Sequence, residues 1–143
     1  MADPYNLERF VLQQVDVFPS ALTEVRAGQK RTHWMWFIFP QLRGLGHSPA
    51  AVHYGISSID EARAYLDHSV LGPNLREAIE ALLPWASMRT AEQIFGSVDA
   101  MKLRSCLTLF DAVAPAGLFA DALARFYSGV RDERTLALLN AAQ

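Results

Sequence analysis

The chain has a single cysteine, Cys106, so it cannot form an intrachain disulfide. Its four histidines include no pair at helical spacing and no His-Glu-x-x-His pattern, which argues against a metal site. No purely apolar run is longer than residues 34–39, far fewer than a membrane-spanning helix needs. Lysine and arginine number 13 against 15 aspartates and glutamates, so no basic excess indicates nucleic-acid binding.

Motifs for cofactor binding are also missing. The sequence has no Gly-x-Ser-x-Gly, Walker A or complete dinucleotide-binding glycine pattern, and we therefore predict no cofactor. Residues 1–4 have neither the basic stretch nor the apolar core of a secretory signal, which together with the lone cysteine predicts a cytoplasmic protein. With 51% hydrophobic and 20% charged residues, the chain is expected to form one globular domain over residues 1–143.

The most distinctive stretch is residues 34–39, here called the aromatic segment, which holds two of the three tryptophans and two of the eight phenylalanines. A buried aromatic side chain removes roughly 150–250 Å² from water, so this segment should lie in the core. Its propensities favour a strand, but no other stretch offers a strand partner, and we predict a short buried helix that Pro40 ends. In that helix His33, Trp36, Phe37 and Pro40 would share one face.

Apolar residues at helical spacing recur along the rest of the chain and predict an all-α fold. We expect a compact single domain of seven or eight short helices around the aromatic segment. Pro19 fits the first turn of a second helix and Gly28 its left-handed C-terminal position. Ser58 and Thr90 each stand three residues before a Glu or Gln, the spacing of a capping box.

Four further segments follow from breakers and caps. Residues 41–49 are predicted as a loop, and 54–56 as a short connector. A helix is expected from Pro73 to Leu83. The longest helix should start at Ser97 or Asp99 and continue to about residue 114.

Two polar sets interrupt the apolar pattern. Lys30, Arg31 and His33 stand directly before the aromatic segment, and charged side chains are hardly ever buried unpaired, so they must surface at its rim. Asp99, Lys102 and Ser105 follow one another at three-residue spacing along one side of the longest helix. The first set is equally explained as a solvated helix start. The second is better explained by a local ion pair and a favourable helix dipole.

If the two sets converge, aromatic surface, cations and a carboxylate line one cleft, which is the usual composition of a small-molecule site. The loop after the aromatic segment could add backbone N–H groups for an anion. The candidate catalytic residues are Lys102 and Asp99. The candidate ligand-binding residues are Lys30, Arg31, His33, Trp34, Trp36, Gln41, Gly44, Gly46 and Ser105.

Several motifs also carry a resemblance to a known family. They are His-Trp-Met-Trp-Phe-Ile-Phe-Pro-Gln at 33–41 and the segments 28–32, 44–46, 54–56, 66–73, 94–99 and 102–110. The chain resembles a widespread domain-of-unknown-function family whose bacterial members are often labelled "calpastatin". The resemblance implies a mainly helical cytoplasmic domain without an assigned activity. Departures from the family pattern are Ser69 for proline, Asn74 for arginine and Cys106 for serine, and Asn74 puts anion binding at that position in doubt.

A more distant resemblance is to the helical NADAR proteins, which handle ADP-ribose-type N-glycosides. The features in common would be an aromatic pocket and a lysine-bearing helix in the C-terminal third. This similarity implies a possible N-glycosidase activity.

Two functions therefore stay open. The first is a small-molecule domain for a nucleotide or phosphorylated sugar, with possible N-glycosidase activity at Lys102 and Asp99. The second is a non-catalytic binding or protein-interaction module in which the aromatic segment is only core. Neither the ligand nor the oligomeric state follows from the sequence.

Overall fold

The structure is a computed structural model that describes residues 2–141, and this part of the chain folds into nine α-helices and one short 3-10 helix. The only extended pairing within these residues is an isolated parallel bridge between Leu42 and Ile56. The predicted all-α class is confirmed. In chain order the helices are α1 (Glu8–Arg26), α2 (Met35–Ile38), α3 (Pro49–His53), α4 (Ile59–Asp67), α5 (Leu71–Leu82), the 3-10 helix (Leu83–Ser87), α6 (Ala91–Phe95), α7 (Ser97–Val113), α8 (Leu118–Tyr127) and α9 (Glu133–Ala141).

Helix α7 is central to the packing, because α4, α6, α8 and α9 all contact it. Its residues from Ser105 to Asp111 are buried without interruption, as expected of a helix covered on several sides. Helix α1 packs against α5 and against the short α2, which brings the aromatic segment into the same core. Large side chains without solvent contact there include Phe10, Trp34, Tyr65 and Phe110.

Helix α1 is continuous through Pro19, so the prediction of two separate helices is wrong. A proline inside a helix removes the hydrogen bond to the carbonyl four residues earlier, here that of Val15. Val15 and Pro19 both lie on the exposed side of α1, where water can reach that carbonyl. The predicted left-handed position of Gly28 is confirmed, with φ +68°.

The aromatic segment forms α2, only four residues long, as the predicted short helix. Of the four residues predicted to share a helical face, only Trp36 and Phe37 lie within α2, and both are half-buried. Trp34, Met35, Ile38 and Phe39 are buried. One helical turn is too short for a periodicity to define a face. The segment is therefore divided between the core and the surface.

Helices α3 and α5 begin where the sequence pattern did not place them. Ser48 caps α3, its Oγ accepting from the Ala51 N–H at 3.1 Å, and Pro49 occupies the first turn. Helix α5 begins at Leu71, two residues before the predicted start. Gly72 lies so close to the Leu66 carbonyl oxygen that an added Cβ would be 2.1 Å away, and so only glycine fits.

The two predicted capping boxes have different outcomes. The box at Thr90 is complete, with Thr90 and Gln93 each accepting a backbone N–H from the other. At Ser58 only half forms, because the Glu61 carboxylate turns to the Ser57 N–H and hydroxyl and to Arg9. The Arg9–Glu61 pair is buried at 2.7 Å and joins α1 to α4.

Candidate functional site

A pocket of about 340 Å³ lies between the chain that follows α1 and the start of α7. Lys30 and His33 are expected to surface where the aromatic segment begins, and the pocket wall contains both. Trp36 and Phe95 supply aromatic surface. The first turns of α7 close the other side with residues 97–99 and 102.

Three charged side chains meet in this pocket. Lys30 Nζ lies 2.9 Å from Asp99 Oδ2, and Lys102 Nζ lies 3.2 Å from Asp99 Oδ1. The side chain of Lys30 is 8% exposed and that of Lys102 20% exposed, so both ammonium groups are largely withdrawn from water. Two cations and one carboxylate leave an excess of one positive charge.

The carboxyl group of Asp99 is held in its ionised form. Burial by itself would raise the pKa of Asp99, but the hydrogen bond from Lys30 and the positive charges of Lys30 and Lys102 outweigh it. The pKa of Asp99 therefore lies below its ordinary value. A fixed negative charge thus stands between two ammonium groups at neutral pH.

Lys102 lies over the half-buried Trp36, with Nζ 4.1 Å from the ring centroid. A cation at this distance over an indole face is attracted by the ring quadrupole. This contact and the ion pair with Asp99 hold the Lys102 ammonium group at the pocket wall. Only one of its three N–H groups donates to Asp99. Lys102 is therefore arranged to donate to a further acceptor.

The N-terminus of α7 opens onto the same pocket. Gly96 alone separates α6 from α7, with φ +83° and ψ 162°, a conformation almost restricted to glycine. No side chain of residues 2–141 caps α7, whose first N–H groups are those of Ser97, Val98 and Asp99. Such unpaired N–H groups and the helix dipole favour an anion.

The chain carrying Lys30 and His33 is held from two sides. The Lys30 N–H donates to the Ile94 carbonyl oxygen of α6 at 2.8 Å. The Glu24 carboxylate of α1 accepts hydrogen bonds from residues 31, 32 and 34. Contacts with α1 and α6 therefore set the course of this part of the pocket wall, to which the short α2 adds Met35 and Trp36.

Three other candidate residues lie outside this pocket. Trp34 is fully buried and donates its indole N–H to Glu24, so it serves the core and cannot stack on a ligand. Arg31 is exposed and its guanidinium contacts Gln29. The buried Ser105 donates its hydroxyl to the Met101 carbonyl within α7.

The loop after the aromatic segment is also not part of the pocket wall. Gln41 contributes its carbonyl oxygen to the Ile56 N–H, next to the Leu42 bridge. Gly44 faces Leu138 of α9, and Gly46 faces Ala51 of α3. These residues connect the loop to α3 and α9, and their proposed part in ligand binding gains no support from the geometry.

Sequence reasoning missed part of the pocket wall. Met35, Phe95, Gly96, Ser97 and Val98 border the pocket but were not among the candidates. A glycine between two short apolar stretches, followed by an Asp-bearing helix, was the available signal for residues 96–98. The sequence contains no signal for Phe95 and Met35 as pocket residues, since apolar side chains ordinarily lie in the core.

Two of the departures from the family pattern, Asn74 and Cys106, have structural explanations. Asn74 donates its amide N–H to Gln14, which in turn donates to the Phe37 carbonyl and the Tyr65 hydroxyl. Asn74 thus belongs to a polar network between α1 and α5, away from the pocket. Cys106 is fully buried, and burial raises the pKa of its thiol, as expected of a small core residue.

Two larger cavities have different chemistry. One of about 850 Å³ lies beside Trp85 and Met88, where the Arg26–Glu77 ion pair is exposed at 3.3 Å. Another of about 500 Å³ is lined by the Arg9–Glu61 pair. The Arg9 guanidinium already donates five hydrogen bonds to protein acceptors, so it has no donor left for a ligand. Neither offers buried lysines with N–H groups to spare, so volume alone does not identify the site.

The geometry defines an all-α domain with a small cationic and aromatic pocket at a helix N-terminus. Residues 4–139 match the model of a family described as a protein of unknown function, DUF1810, and the chain belongs to this family. The predicted membership of a domain-of-unknown-function family is thereby confirmed. The calpastatin label and the NADAR similarity stay predictions.

The fold has a solved counterpart. The chain is similar to the conserved hypothetical protein Rv1873 from Mycobacterium tuberculosis, with 52% sequence identity and a TM-score of 0.93. The match covers 96% of this chain and 99% of the other. No curated protein matches the chain. None of the helices in residues 2–141 combines the length and apolar character needed to cross a bilayer, and the cytoplasmic location stays a prediction.

Proposed function

We propose that the domain binds a small phosphorylated ligand, a nucleotide or sugar phosphate, in the pocket between Lys30 and Lys102. The observation that carries this proposal is the pair of largely buried ammonium groups sharing a single carboxylate, Asp99. One positive charge is left over, and the uncapped N-terminus of α7 adds to it. A phosphate would meet these donors and neutralise that charge.

The apolar part of the pocket suits the rest of such a ligand. Trp36, Phe95 and Met35 offer a surface for a planar ring or a sugar face. Asp99 accepts hydrogen bonds, as a sugar hydroxyl requires. The volume of about 340 Å³ lies near the lower end of the roughly 300–1,000 Å³ usual for ligand pockets. It would enclose one ring with one phosphate, and thus only one half of an ADP-ribose-type molecule.

A binding screen tests this proposal. Thermal unfolding is followed with inorganic phosphate, ribose 5-phosphate, AMP and ADP-ribose, and a ligand at 100 times its dissociation constant should stabilise the fold by about 2.7 kcal/mol. Lys102→Met should abolish the stabilisation. The matched control is Arg76→Met, a cation that borders the larger cavity instead. If no phosphorylated compound stabilises the wild type, the proposal fails.

N-glycosidase activity is the second candidate, and the ionised state of Asp99 favours it. Breaking a C1–N bond leaves positive charge on the sugar ring while the electron pair departs with the base, and a carboxylate stabilises that charge. Water then adds to C1 and gives up a proton. Lys102 would hold the phosphate or protonate the leaving group. Release of free base from NAD or ADP-ribose conjugates, followed by chromatography, should depend on Asp99 and vanish in Asp99→Asn.

The interaction-module alternative keeps one supporting fact. Trp34, Ile38 and Phe39 of the aromatic segment are core residues, as that alternative requires. This alternative does not explain why the side chains of Lys30 and Lys102 are largely withdrawn from water.

A further inference from the structure

Glu24 lies on α1 and not in the pocket wall, yet it holds the chain that supplies one side of the pocket. Its carbonyl oxygen accepts the Gln29 N–H at 3.1 Å. Its carboxylate accepts the Arg31 N–H at 2.6 Å, the Thr32 N–H at 3.0 Å and the Thr32 hydroxyl at 2.6 Å. The Trp34 indole N–H adds a fourth bond at 3.1 Å.

The residues bonded by the Glu24 carboxylate are chain neighbours of the two pocket residues Lys30 and His33. Lys30 precedes the first bonded residue, and His33 lies between two of them. The acceptors are all on one side chain, so a single carboxylate sets the course of residues 31–34. The left-handed Gly28 turns the chain back from α1 towards this carboxylate.

Glu24 must be ionised to accept all four of these hydrogen bonds. Burial by itself would raise the pKa of Glu24, but the hydrogen bonds from Thr32, Arg31 and Trp34 lower it to about 2. Each donor is an N–H or O–H group pointing at the carboxylate. An amide in its place would have one acceptor oxygen, and its NH₂ group would face a donor.

We propose that Glu24 is the positioning residue of the phosphate pocket: by accepting four hydrogen bonds from residues 31–34 it fixes Lys30 and His33 opposite Lys102. This inference rests on the proposed function. Glu24 does not touch the ligand. It acts through the chain that it holds.

The test compares Glu24→Gln with wild type, and Glu77→Gln serves as the matched control because Glu77 is another half-exposed helical glutamate that contacts Arg26 instead. The dissociation constant for AMP is measured by calorimetry at a temperature where all three proteins are folded. We expect Glu24→Gln to weaken binding about tenfold and Glu77→Gln to leave it unchanged. A role confined to stability would lower the melting temperature and leave the dissociation constant alone, and binding within twofold of wild type would overturn the proposal.

A second readout keeps the proposal separate from the proposed function. Lys30 Nζ lies 5.1 Å from the Trp34 ring centroid, so NMR should detect contacts between the Lys30 side-chain protons and that ring in the wild type. They should disappear in Glu24→Gln, and amide exchange at Arg31 and Thr32 should accelerate. If the wild type binds neither AMP nor any other phosphorylated compound of the screen, the proposed function fails. The role of Glu24 in holding Lys30 then stands if these contacts disappear and falls if they persist.

Thr32→Val is the milder variant, for use if Glu24→Gln does not fold. It removes one donor of the four and keeps the carboxylate. We expect AMP affinity to fall about threefold, with the Lys30–Trp34 contacts weakened. Unchanged affinity and unchanged contacts would contradict the proposal.

Discussion

Lys30 and Asp99 are 69 positions apart in the chain, and their side chains meet at 2.9 Å with the lysine 8% exposed. This contact joins the chain after α1 to the first turn of α7. An ion pair so far withdrawn from water contributes little stability by itself, since desolvation offsets its attraction. Its consequence is geometric: it brings the two polar sets of the sequence to one pocket.

Trp34 and Trp36 should differ in their contributions to stability. Trp34 is fully buried and Trp36 half-buried, so Trp34→Ala should lower the free energy of unfolding by about 3–5 kcal/mol and Trp36→Ala by less than half of that. Urea unfolding followed by far-ultraviolet circular dichroism measures both. Equal losses at the two positions would contradict the burial pattern.

Glu24 should make stability depend on pH in the acid range. Its pKa is about 2 in the fold against 4.5 as its ordinary value, so between these values the unfolded chain binds more protons. The contribution is therefore complete above about pH 4.5 and is lost as the pH falls towards 2. Denaturant unfolding at stepped pH should give a steeper acid loss in the wild type than in Glu24→Gln. Identical slopes would mean that the carboxylate is not held as described.

The buried Arg9–Glu61 pair should be costly to break. Glu61→Ala leaves the guanidinium buried without its counter-charge and should lower the free energy of unfolding by about 3–5 kcal/mol. The matched control on the same helix is Asp60→Ala, which breaks the exposed Arg63–Asp60 pair and should cost less than about 1 kcal/mol. A cost of similar size in both variants would refute a special role for the buried pair.

Gly96 should be required for its conformation alone. An added Cβ there meets no atom within 4 Å, but φ +83° with ψ 162° strains any other residue. Gly96→Ala should therefore cost on the order of 1–3 kcal/mol. Because Gly96 sets the direction of α7, the variant should also weaken phosphate binding. A neutral substitution measured by thermal unfolding would show that the link between α6 and α7 relaxes freely.

Some features of the fold and of the pocket could be predicted from the sequence, and others could not. That Lys30 and His33 surface beside the aromatic segment follows from a simple rule, because charged side chains are hardly ever buried unpaired. That they meet Lys102 at one pocket does not follow from it, because this meeting depends on how α7 packs. The helices of two turns or more follow from caps and apolar spacing. The choice between Trp34 and Trp36 does not follow, since α2 has a single turn.

Other contacts had no local signal at all. Glu24 bonds residues 7 to 10 positions further along, and Arg9 bonds Glu61 across 52 positions. Residues 28–34 are not helical, so helical periodicity does not relate them to Glu24, and the Arg9–Glu61 contact forms only after α1 has packed on α4. The continuity of α1 through Pro19 also had no local signal, because it depends on the exposure of that turn to water in the folded protein.

Ligand binding between Lys30 and Lys102 is tested most directly by an amide and indole chemical-shift map of the protein titrated with AMP. We predict that the largest changes fall on Ser97, Val98 and the Trp36 indole, the groups that border this pocket. Changes confined to the Trp85 and Met88 cavity, or no saturable change anywhere, would contradict it.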